Sequence, residues 1–150
     1  MDIAAALWGG IFGAIAAAVV YVGFLALHWT RFDLLRFEGG LLARERSNMV
    51  YVYGAVVQVV LGAALALGYR YAFQHIGSAS YVGWGALLGL AQGVLLLLVL
   101  PALGFVNHNV RSGDDERPGF AGLAGGRLTP VAVLAASVVF GLWIGLVLLP

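Results

Sequence analysis

Four stretches of this chain, residues 3–29, 47–69, 71–110 and 128–150, contain no Asp, Glu, Lys or Arg. Each is long enough to cross a bilayer, whose ~30 Å hydrocarbon core is spanned by ~20 apolar helical residues. In hydrocarbon the backbone must satisfy its own hydrogen bonds, so such runs fold as helices. The pattern predicts spans over residues 3–28, 48–73, 80–105 and 130–149. The expected fold class is therefore all-α: a polytopic membrane protein, residues 1–150 forming a single four-helix transmembrane bundle.

Charged residues make up only 10% of the chain, against ~25% in soluble domains, and three short connections leave no room for a second domain. Cysteine is absent, which removes disulfides and thiolate metal sites. A net charge of +1 gives no electrostatic footprint for nucleic acid. Asp2 ahead of the first run, with Trp29, Arg31 and Arg36 behind it, are the flanks of a retained helix rather than of a cleaved signal sequence.

All eight basic residues are arginine. Arg31, Arg36, Arg44 and Arg46 fall in the first loop and Arg111, Arg117 and Arg127 in the third. Arg70 alone is at the opposite end. By the positive-inside rule both long loops are expected in the cytoplasm, with both termini extracytoplasmic, in a bacterial inner membrane. Trp8, Tyr69, Tyr71, Tyr81, Trp84 and Trp143 are expected as the outer aromatic belt, and Trp29, Tyr51, Tyr53 and Phe105 as the inner one.

In the first loop, Thr30 is placed to cap a short helix that runs through Glu38, stops at Gly39-Gly40 and lies in the headgroup layer. The third loop, 112–127, reads as a mobile linker in which Asp114-Asp115-Glu116 is solvated. Thr129-Pro130 suits the start of the fourth span, with Thr as the cap.

Small residues recur four apart in every span: Gly9 and Gly13; Gly54 and Gly62; Gly85, Gly89 and Gly93; Ser137, Gly141 and Gly145. This spacing lets helix backbones approach closely, which is how helices associate in lipid. An internal echo accompanies it. Gly9, Gly13, His28 and Arg31 recur at a constant offset as Gly89, Gly93, His108 and Arg111, which suggests a parallel 2+2 hairpin repeat of the kind found in transporters.

The polar residues within the spans are few. Gln58, Gln92, Ser137 and Tyr21 either hold helices together by hydrogen bonds or line a narrow polar path. Arg70, one turn beyond the Gly54–Gln58–Gly62–Ala66 stripe, either guards an outer mouth or snorkels to headgroups. No acid or base is expected at mid-membrane. His28 and His108, at matched ends of the first and third spans, are candidates for haem or metal ligation, with helix C-terminal capping as the alternative. His75 in the short second loop is expected to be solvated. No nucleophile, base and oxyanion site assembles, so the chain reads as a non-enzyme, and no cofactor is assigned.

The segment Asp33-x-x-Arg36-x-x-Gly39-Gly40 after the first span, followed by a Gly-rich second span, resembles uncharacterised small four-helix bacterial membrane proteins. The resemblance implies the architecture and no activity. The leading expectation is an accessory or scaffold subunit of a larger membrane complex, its partners the bilayer and other membrane subunits or further copies of itself. The alternatives are an oligomeric transporter or channel for a small solute, and a haem- or quinone-binding membrane protein.

Overall fold

The structure, a computed structural model, describes residues 2–76 and 80–149. Part of the second connection, residues 77–79, lies outside the described residues, as do residues 1 and 150. Four long helices, α1 (Ile3–Ala26), α3 (Met49–Ile76), α4 (Tyr81–Val106) and α6 (Thr129–Val147), are long and apolar enough to span a membrane, and they match the expected spans to within three residues. Two short helices, α2 (Leu34–Leu42) and α5 (His108–Arg111), and a 3-10 turn at Phe120–Gly125 occupy the arginine-rich end. No strand occurs among the described residues.

The small residues decide which helices touch. α1 packs on α3 through Gly10, where an added Cβ would lie 2.5 Å from the carbonyl oxygen of Gly62, and through Gly62, where one would lie 2.6 Å from Ala14 Cβ. α4 packs on α6 through Gly85 against the Gly141 backbone, Gly89 against Ser137, and Gly145 against the carbonyl of Tyr81. Gly93 also faces Ser137. Gly9 against Val147 and Gly13 against Phe140 and Trp143 then join α1 to α6.

The helices therefore run in the order α3, α1, α6, α4, as two hairpins side by side. A parallel two-fold would make the α1–α6 and α3–α4 seams equivalent, but they are unlike. The first is packed along its length, whereas α3 and α4 meet chiefly near their short connection. There Phe73 stacks on Tyr81 with centroids 5.0 Å apart, and the Tyr69 hydroxyl donates to Gln92 Oε1 at 2.9 Å. Tyr69 is thus buried inside the bundle rather than in an aromatic belt.

Helix α2 departs most from expectation. Gly39 and Gly40 do not end it but lie within it as contact points. Gly39 abuts the backbone of Val50, Gly40 abuts the Asn107 side chain, and Gly54 faces the carbonyl of Leu35 rather than another spanning helix. Helix α2 thus runs against the first turns of α3, with Leu34 and residues 37–40 buried. The Tyr21 hydroxyl, more than a turn inside α1, donates to the Phe32 carbonyl just ahead of α2 at 2.8 Å. The cap is Asp33, whose Oδ1 accepts from Arg36 N at 3.1 Å. Thr30 and Thr129 instead share a buried hydrogen bond of 2.7 Å, so Thr129 does not cap α6 with its side chain.

The third loop is pinned rather than slack. Asn107 donates to the Phe37 carbonyl at 2.6 Å and caps α5 by accepting from Asn109 N and Val110 N. Asn109 pairs both ways with the Glu45 backbone at 3.0 Å. Both asparagines are fully buried. Arg36 pairs with Asp115 at 2.7 Å, and Arg44 and Arg46 both pair with Asp114, so the acidic run is not merely solvated. These pairs hold the Asp114 carboxyl well below the usual carboxylate range, Arg46 contributing most.

The glycine seams make opposite predictions for different glycines. Gly85→Val should destabilise the bundle by about 2–3 kcal/mol, because backbone faces its Cβ position and neither helix can yield cheaply. Gly23→Ala and Gly68→Ala, which meet nothing within 4 Å, should be neutral or stabilising by up to about 1 kcal/mol. Reversible unfolding in bicelles would measure all three.

Candidate functional site

Helix α2 stands between α3 and α4 at the arginine-rich end, where Asn107 at the end of α4 holds the Phe37 carbonyl, and Tyr69–Gln92 bridges the two helices about midway along α4. The space left is a cavity of about 220 Å³ bounded by α1, α3, α4, α6 and the inner face of α2. Its walls are mostly apolar, built by residues such as Ala17, Leu61, Val133, Ala136 and Phe140. Four polar side chains interrupt them: Glu38, Gln58, Gln92 and Ser137. The cavity runs into an outward-facing cleft of about 510 Å³ between α3 and α4, with which it shares Leu61, Leu65, Gln92 and Leu95.

Three of the sequence-predicted polar residues thus meet around one space. Ser137 is buried, while Gln58 and Gln92 are half-buried. Gln92 reaches across the α3–α4 gap to Tyr69 and lines both the cavity and the cleft. Arg70 is half-buried further along α3 and does not line the cavity. His28 and His108 are both exposed, and His28 ends α1 in a left-handed conformation with φ 58°. Among the described residues no group of three or more His, Cys, Asp or Glu is placed to hold a metal ion.

Glu38 is the residue that sequence reasoning missed, and it corrects the expectation of an interior without acids. Its side chain is 7% exposed. The Gln58 it meets lies nine residues into α3, roughly 14 Å from that helix's start at 1.5 Å per residue. No arginine pairs with Glu38 among the described residues; Arg36, two positions away, is committed to Asp115. Burial without a cationic partner favours the neutral form of its carboxyl. A signal was present in the sequence. Leu34, Phe37, Glu38 and Leu41 recur at helical spacing, and that face turns inward.

Gln58 is the side chain that meets Glu38. With its amide nitrogen toward the acid, it lies 2.8 Å from both carboxyl oxygens and donates to them.

A second cleft, about 390 Å³, opens at the arginine-rich end among Arg31, Arg36, Asp115, Glu116 and Arg117. Its charges are largely engaged with one another or with the protein. Arg36 is paired with Asp115, and the Arg117 guanidinium lies 5.4 Å from the centre of the Phe105 ring.

A buried acid fixes the sign of a pH effect. The folded state favours neutral Glu38, so its contribution is fully present at acid pH and is lost progressively as pH rises to 8. Unfolding of the wild type in bicelles should therefore become easier across that window. Glu38→Gln, neutral throughout, should flatten the profile and be the more stable protein at pH 8. No protein-family model, curated protein or solved structure matches this chain.

Proposed function

We propose that this protein binds a small amphipathic molecule dissolved in the bilayer. The ligand enters sideways between α3 and α4 and sets its polar group against Glu38, Gln58, Gln92 and Ser137. The observation that carries the reading is Glu38, a carboxyl buried at a lipid-facing cavity with no cation paired to it among the described residues. An intramembrane ionisable group is costly, and a leucine at this position would serve packing better. A mostly apolar cavity with a few convergent polar groups is the usual form of a small-molecule site. The cavity offers one carboxyl, two amides and a hydroxyl, a set suited to recognition rather than to nucleophilic catalysis. On the positive-inside rule we assign the arginine-rich end to the cytoplasm and both termini to the outer side of a bacterial inner membrane.

A second reading, a subunit of a larger membrane complex, has its own support. The α3–α4 cleft is lined by Ala64, Gly68, Ala72 and Ala91, small residues of the kind that receive a neighbouring helix in lipid.

The neutral fluorophore 1-aminoanthracene, titrated into the full-length protein in nanodiscs, separates the two. The binding reading expects saturable uptake, abolished by Leu95→Trp. Leu95 is exposed at the cleft mouth, so this change should block access without unfolding the bundle. Uptake that is not saturable, or is indifferent to Leu95→Trp, overturns it. A membrane subunit that co-purifies and cross-links to a cysteine at position 68 would favour the second reading instead.

A further inference from the structure

We propose that the cavity's ligand is a small organic cation with an apolar body, bound in exchange for the proton of Glu38. This rests on the cavity being a binding site and adds the ligand's charge and its coupling to protons.

The argument is an inventory of charge. From α1 the cavity receives Ala14 and Ala17, from α4 Gln92, and from α6 Ser137 and Phe140, none of them charged. From α3 it receives Gln58 and apolar residues, and from α2 Leu34 and Glu38. The nearest other titratable groups are already engaged. Tyr21 on α1 donates to the Phe32 carbonyl, and Asp33 on α2 accepts from Tyr51 and caps α2. Among the described residues that line the cavity, a phosphate or carboxylate head would find no positive charge and one acid. A neutral head would leave Glu38 protonated. Only a cation supplies the partner that lets the carboxylate exist in an apolar cavity, where opposite charges attract far more strongly than in water. The leucine walls suit the cation's apolar body, and the Phe140 ring adds an aromatic surface of the kind cations favour.

The exchange balances. Neutral Glu38 gives its proton to water, the carboxylate and the cation form an ion pair, and the charge in the cavity stays zero. Gln58, whose amide nitrogen lies 2.8 Å from both carboxyl oxygens, stays beside the group and donates to the carboxylate once it forms. The lateral cleft admits the cation from the interfacial region of the bilayer without requiring the helices to part.

The test uses benzyltrimethylammonium, which cannot itself lose a proton, and its uncharged isostere neopentylbenzene. Both are titrated calorimetrically into the full chain in phosphatidylcholine nanodiscs, in two buffers of different ionisation heat. The expected result at pH 7 is saturable cation binding with release of close to one proton. Affinity should rise about tenfold per pH unit at lower pH and level off once Glu38 is ionised in the free protein. Neopentylbenzene should bind without releasing protons. Glu38→Gln should keep neopentylbenzene while weakening the cation by about 100-fold or more, and retained neopentylbenzene shows that the variant is folded. If the cation binds without proton release, or equally well to Glu38→Gln, the proposal is overturned. If the cation fails while neopentylbenzene binds, the cavity stands as a site and the cation does not. If neither binds, the reading of the cavity as a binding site falls as well.

Discussion

The backbone-to-backbone contact between α2 and α3 is the constraint on which the rest of the interior depends. Gly39 against Val50 and Gly54 against Leu35 leave no space for even a methyl group. This lets a nine-residue helix lie inside the bundle where a spanning helix would otherwise pack. Several consequences follow from that one placement. α3 is kept away from α4 at the arginine-rich end, the gap becomes a cavity, and Glu38 is carried to the depth of Gln58. A bulkier residue at position 39 or 54 would push α2 outward and remove all three features together.

The polar cap makes this placement durable. A short helix inside a membrane bundle needs its connections held, and here the two long loops hold each other. Asn107 and Asn109 satisfy backbone groups of the first loop from within the third, while arginines of the first loop pair with Asp114 and Asp115 of the third. The buried amide bonds, shielded from water, matter more than the ion pairs. Arg44 and Arg46 are more than half exposed, and such pairs contribute little individually. The arginines of the first loop are thus part of the fastening of α2.

The four spans were legible in the sequence because hydropathy and length alone dictate them. The glycine ladders were legible too, since spacing by four determines a helix face, although Gly54 turned out to face α2 and Gly10 carries a contact the ladders omit. Gln58, Gln92 and Ser137 stood out as polar residues in apolar runs, but their convergence depends on the α3–α4 gap, a tertiary feature. Glu38 was hidden by its neighbours. It sits in a loop beside arginines, and Gly39-Gly40 has the chemistry of a helix stop. Whether two glycines end a helix or serve as its contact surface is decided by what packs on them, and sequence-local rules carry no such information. The same limit applies to the third loop, whose glycines and charges look like a linker until Asn107 and Asn109 meet the first loop.

The central claim is that Glu38 is a neutral acid inside the bundle, facing the cavity and hydrogen-bonded to Gln58. Infrared spectroscopy of the protein in lipid at pH 7 tests it most directly, through the carbonyl stretch of a protonated carboxylic acid. The account predicts such a band at pH 7, absent in Glu38→Gln and shifted to higher frequency in Gln58→Leu, where the hydrogen bond is lost. A spectrum with no protonated-acid band at pH 7, or a band that survives Glu38→Gln, would contradict it.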